Sequence, residues 1–141
     1  MSTTVSYADK KIGAVKVISA ATTLAVTDSG KTCYLDAAAG ATVTLPALAA
    51  GLSFRFQVSA PFATTNWVID SAEGDNINGI IADMGSTVAV VVASGEDQIN
   101  FVASAETIGD YVDLIADTDN SQWIVTGMCG ANGGITATDP S

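Results

Sequence analysis

The chain has 141 residues and a net charge of −10, yet only 14% of its residues are charged and 48% are apolar. That length suits one domain with a core large enough to stand without metal or disulfide staples, while the shortage of charge leaves Thr, Ser, Asn, Ala and Gly to build the surface and implies faces covered by other subunits. Histidine is absent, which excludes Ser-His-Asp and Cys-His nucleophiles and the usual zinc sites, so no enzymatic activity is expected.

Residues 1–14 are polar, with neither sustained alternation nor helical periodicity, and are expected to form an extended arm ordered by a partner. Over 15–130, short β-branched and aromatic runs alternate with Gly, Pro and Asp turns at roughly ten-residue spacing, the pattern of an all-β single domain: an antiparallel β-sandwich, or jelly-roll-like. Residues 14–21 and 22–26 supply the first strands, and Asp28-Ser29-Gly30 is a tight turn in which Gly30 takes positive φ. Strands over 32–35 and 41–45 follow, the second ended by Pro46, which has no N–H for a ladder. Leu52, Phe54, Phe56 and Val58 alternate with Ser53, Arg55 and Gln57, the cleanest strand in the chain.

Further strands are expected at 66–70, 77–81, 87–93 and 98–103, the last two joined as a hairpin by Ser94-Gly95-Glu96-Asp97. The run from Val88 to Val92 is apolar on both faces, and so is expected to be central or at a subunit contact rather than an exposed edge. Strands over 110–115 and 122–128 pair as an antiparallel hairpin across the polar loop 116–121. Residues 131–141 read as a flexible segment: a Gly-rich turn, then a short last strand or a loose end.

Motifs with chemical overtones have plainer readings. Gly30-Lys31-Thr32 has the ending of a phosphate-binding loop, but Ala25 stands where the first glycine belongs and a strand follows instead of a helix. Asp117-Thr118-Asp119-Asn120 places oxygens at alternate positions, as a calcium loop does, yet lacks the glycine and glutamate that complete one. Glu73 with Asp75, and Glu96 with Asp97, read as solvated turn acids. No metal or cofactor is expected. Cys33 and Cys129 lack a Cys-x-x-Cys pattern, and the first eleven residues lack the apolar centre of a secretion leader, so both read as reduced, core-packing thiols. No run reaches the roughly 20 apolar residues of a membrane helix. All five basic residues lie in the first 55 positions with three of the fifteen acids; the acidic remainder disfavours nucleic acid. Trp67, Trp123, Tyr34 and Tyr111 could form a sugar-stacking platform, though the core has first claim on so few aromatics.

Asp28-Ser29-Gly30-Lys31, the turn and strand over 40–46, the strand over 51–58, and Gly109-Asp110-Tyr111-Val112 with Trp123-Ile124-Val125-Thr126-Gly127 resemble elements of a family of small phage virion β-domains. The family comprises capsid decoration (cement) proteins and related modules of head and tail fibres, and the likeness spans residues 22–130. It implies a homotrimeric β-sandwich seated at three-fold or quasi-three-fold axes of an icosahedral shell, partnered by the major capsid protein and located on the virion surface after synthesis in the host cytoplasm. On this reading Thr3, Val5, Tyr7, Lys10, Lys11 and Lys16 bind the capsid, the lysines serving as electrostatic anchors for an acidic partner. The alternative is a fibre module binding a host glycan or receptor through an exposed Trp67 or Trp123. A chain of this length read as freestanding favours decoration, because fibre modules usually sit in longer chains with repeats or coiled coils.

Overall fold

Successive strands of the first half go to opposite layers. In the computed structural model, which describes residues 14–72 and 75–140, β1 (Val15–Ile18), β3 (Thr32–Leu35) and β5 (Ser53–Val58) lie in one sheet. Between them in sequence, β2 (Thr22–Thr23), β4 (Thr42–Thr44) and β6 (Trp67–Asp70) lie in the other. Each pass adds a strand parallel to its predecessor in the same sheet: Lys16 lies beside Cys33 and Cys33 beside Phe56, while Thr22 lies beside Val43 and Val43 beside Ile69. The sandwich is as expected, but its sheets are mixed rather than antiparallel. A parallel pair needs a long crossover, and here the strand in the opposite sheet supplies it.

The second half completes both layers. β7 (Asn76–Asp83), β8 (Ala89–Glu96), β10 (Tyr111–Asp117) and β11 (Gln122–Cys129) extend the large sheet to the order β1-β3-β5-β10-β11-β7-β8. β9 (Gln98–Phe101) and β12 (Ile135–Thr138) extend the small one to β12-β9-β6-β4-β2. β10 and β11 form the expected hairpin, Leu114 opposite Val125, and Gly30 has the expected positive φ of 86°.

One expectation is corrected and two are narrowed. Ser94 to Asp97 does not close a hairpin: β8 pairs with β7, and the chain then crosses to β9 in the other sheet. A bulge at Ile77/Asn78 and Gly95 at φ 77°, whose N–H donates to Asn78 Oδ1 at 2.7 Å, bend the strand there. A positive-φ glycine among polar residues serves a layer change as well as a hairpin. The valine run, expected to be central or at a subunit contact, is not central: it is an edge of the large sheet in this chain, with Val88, Val90 and Val92 exposed. Finally, of the two readings of the C-terminal segment the short last strand is the one observed: β12 pairs antiparallel with β9 and Ile135 is fully buried, so the sandwich continues through Thr138.

Between the layers lie Phe54, Phe56, Leu114, Trp123 and Ile81 from the large sheet and Val43, Trp67, Ile69, Ile99 and Phe101 from the small one. Phe54 packs 6.1 Å from Trp123 and 6.3 Å from Phe56 between ring centroids, within the range of favourable aromatic pairs. The parallel neighbours β7 and β11 approach closely at Gly79, where φ is +148° and an added Cβ would strike the Val125 carbonyl oxygen. Gly51, at φ +83°, has open space at the same position. Gly79→Ala is therefore expected to lower the unfolding free energy by about 2 kcal/mol or more, and Gly51→Ala by about 1 kcal/mol from backbone strain alone. Urea denaturation of both variants checks this; equal losses would remove the close approach as the cause.

Candidate functional site

Alternation sends every second residue of the large sheet outward, and the register aligns these residues in rows. One row runs Tyr34, Gln57, Tyr111, Met128, Ala82, Val90; the next runs Thr32, Arg55, Asp113, Thr126, Ile80, Val92. The charges in these rows are Arg55 and Asp113, and they are paired with each other. Arg55 donates from Nε to Asp113 Oδ1 at 2.7 Å and from a terminal nitrogen to Oδ2 at 2.9 Å, with its guanidinium 4.5 Å over the Tyr111 ring. The hydrogen bond to Asp113 raises the Arg55 pKa further. An ion pair this exposed contributes about 1 kcal/mol or less; its larger consequence is that the two rows are net neutral. The small sheet's outer face is different in kind, with Thr42, Thr44, Asp70, Asn100 and Thr138 lying along it. Gln98 Nε2 donates to Asp70 Oδ1 at 2.8 Å and Asn100 Nδ2 to Thr138 Oγ1 at 2.9 Å.

At one end of the sandwich, buried Asp28 accepts from the Ala25 N–H at 3.0 Å and from Lys31 Nζ at 2.9 Å, and Lys16 Nζ stands 3.5 Å away. Burial pushes this carboxyl up, but the Lys31 hydrogen bond, the Ala25 N–H and the charges of Lys16 and Lys31 outweigh it and leave the pKa below the ordinary aspartate value. Beside it the Ser53 N–H donates to Ser29 Oγ at 3.0 Å and the Gly30 N–H to the Ser53 carbonyl at 2.7 Å. The Asp28-Ser29-Gly30-Lys31 motif is thus the joint that starts β3 against β5. It does not cradle phosphate, since Lys31 is held by Asp28 and a strand follows.

A shallow groove of about 330 Å³ on the outer face is lined by Lys31, Ser53, Arg55 and Asp113 among others, and both its cations already have carboxylate partners. Asp117 accepts from Asn120 Nδ2 at 2.9 Å and Gln122 Nε2 at 2.8 Å; these hydrogen bonds lower its pKa and close the hairpin end. Among the described residues, no three His, Cys, Asp or Glu side chains converge as metal ligands, and no helix is long and apolar enough to cross a membrane. Trp67 and Trp123 are fully buried, so the sugar-stacking role suggested for them is corrected: both belong to the core.

Of the expected capsid-binding residues, Thr3, Val5, Tyr7, Lys10 and Lys11 lie outside the described residues, and Lys16 sits in β1 beside Asp28. Sequence reasoning singled out the valine run but missed that Ile80, Ile115 and Met128 are exposed on the same face as Val90 and Val92. No local signal marks those three, since they come together through the register of β10, β11 and β7. No protein-family model, curated protein or solved structure matches this chain.

Two predictions follow from these geometries. Because the folded Asp28 pKa is depressed, its contribution is present above the unfolded value near 4 and is lost as pH falls through the folded value. Asp28→Asn should cost about 1–2 kcal/mol at pH 7, and its difference from wild type should shrink below about pH 4. Denaturation across pH checks this; a pH-independent difference would mean that the loss is steric. Cys33 and Cys129 are free and fully buried. Burial, aided by the Asp28 charge, pushes Cys33 up to about 11, and burial raises Cys129. The folded protein should leave both thiols unreactive toward an aromatic disulfide reagent at pH 8, with both titrating in denaturant; rapid native labelling would contradict this.

Proposed function

We propose that this chain is a structural virion protein, a capsid decoration (cement) protein that binds the expanded phage shell as a homotrimer and stabilises it by clamping adjacent capsomers. The observation that carries the reading is the pair of rows across the outer face of the large sheet, open, largely apolar and net neutral on a chain of net charge −10. Such a face suits contact with other protein surfaces. The reading also draws on the family resemblance of residues 22–130 and on the basic residues near the N-terminus.

Clamping needs no bond chemistry. A protein that binds the expanded shell and not its precursor stabilises the expanded state by linkage, about 2.7 kcal/mol per site at a free concentration one hundred times the dissociation constant. In this reading the major capsid protein receives the arm over residues 1–16. Lys10 and Lys11 supply the electrostatic steering, because Lys16 already faces Asp28.

The test is co-sedimentation with expanded, undecorated capsids of the virus that encodes the protein. Saturable, stoichiometric binding is expected, weakening as salt rises and falling at least tenfold when residues 1–13 are removed, a deletion that leaves β1 intact. Full-length protein that ignores capsids at saturating concentration would overturn the reading.

A further inference from the structure

We infer that the two edges of the large sheet are a self-association surface, with β8 of one copy pairing antiparallel to β1 of the next. The inference rests on the self-association in the preceding reading and is independent of capsid binding. An unpaired strand edge is a template for another strand, and proteins usually blunt it with short strands, lysines or prolines. The small sheet is guarded in that way: β2 has two residues, and β12 runs into Asp139-Pro140. The large sheet is guarded less: β1 has four residues and β8 has β12 of the small sheet as a neighbour across the sandwich, but no strand is hydrogen-bonded to the outer side of either among the described residues. β8 is eight residues long, and residues 84–95 contain no charge and no proline. β1 has one charged residue, Lys16, whose ammonium is turned to Asp28.

The two open edges match in direction and chemistry. β1, β3 and β5 are parallel, β10 is antiparallel to β5, β11 to β10, β7 is parallel to β11, and β8 is antiparallel to β7. β1 and β8 therefore run in opposite senses, so copies arranged head to tail bring them together as an antiparallel pair, and a ring of copies leaves no large-sheet edge open. Both edges present outward valines: Val15 and Val17 are 50% and 60% exposed, Val90 and Val92 58% and 63%. Joined, they continue the apolar strip across the junction.

Charge favours a second copy as the occupant. Two chains of net charge −10 repel wherever their acids face one another, but the described outward residues of β11, β7 and β8 carry no charge, and the neighbouring Arg55 and Asp113 cancel. A cationic partner would find nothing to pair with there.

Sedimentation velocity of the full chain, without capsids, tests the inference. Wild type is expected to be oligomeric. Val92→Lys and Val17→Lys, both at exposed positions, should each weaken association at least tenfold while circular dichroism and monomer unfolding are retained. Thr44→Lys on the small sheet should not. Combining Val92→Lys with Val17→Glu in one chain should restore assembly, because the head-to-tail junction then joins opposite charges. A monomeric wild type, or an oligomer indifferent to both edge variants, would overturn the inference, as would sensitivity to Val92→Lys without sensitivity to Val17→Lys. Capsid co-sedimentation reads the other proposal separately: a monomer that binds capsids defeats this inference alone, and an oligomer that ignores capsids defeats only the capsid reading.

Discussion

Everything in this fold depends on the single apolar layer between two sheets that the chain itself stitches together. From β1 to β7, strands consecutive in sequence face one another across that layer, so the inward residues of β3, β4, β5 and β6 meet as soon as each pass is made. Trp67 and Trp123 show which effect dominates. Each buries an indole Nε1 with no hydrogen-bond partner, a penalty of about 1–3 kcal/mol. Against this, removing roughly 200 Å² of ring from water contributes about 5 kcal/mol. Burial wins, and the rings are unavailable for ligands for the same reason.

The sandwich ends are held by buried carboxylates. Asp110 accepts from the Thr107 N–H at 2.9 Å and the Gly130 N–H at 2.9 Å, and Asp83 from the Gly85 N–H at 3.0 Å and the Gly133 N–H at 2.8 Å. These bonds fasten the Gly-rich turn before β12 to the ends of β7 and β10, and deliver Ile135 to the core. Burial raises the Asp110 pKa above the ordinary value. Its ionisation therefore removes stability as pH rises through the interval between the unfolded and folded values, opposite in sign to Asp28. The same residue type tightens one end through lysines and strains the other through desolvation.

This division explains what the sequence disclosed and what it withheld. The alternation from Leu52 to Val58 states which side chains go inward, and the structure follows it residue by residue. Gly30 and the β10–β11 hairpin were legible because a positive φ and a short polar loop are local requirements. Layer assignment is not local. Nothing in a Gly-containing connection tells whether the next apolar run pairs edge to edge or crosses to the facing sheet, so Gly95 was read as a hairpin and the parallel pairs were missed. The choice between a last strand and a loose end after residue 130 stayed open for a related cause: the glycines there suggested freedom, while the aspartates that fix them lie twenty and fifty residues away in sequence. For the site, composition shows how little charge the surface carries and the valine run was legible as apolar on both faces, but its exposure follows from β8 being last in its sheet, which no local pattern states.

That edge position links architecture to the proposed role. In a sheet built only of hairpins, load applied at one edge can peel strands away in sequence. Here β1 and β8 stand at opposite edges, and the chain between them passes repeatedly through the other layer. The β1 edge is thus tied to the core through the strands of the other layer that follow it, while β8 is held through its ladder to β7. Such a body transmits tension between neighbours without needing a pocket or reactive group, and the open, neutral face is where those neighbours would be held. A clamp on a pressurised shell makes that mechanical demand, which the weave and the buried aromatic layer suit.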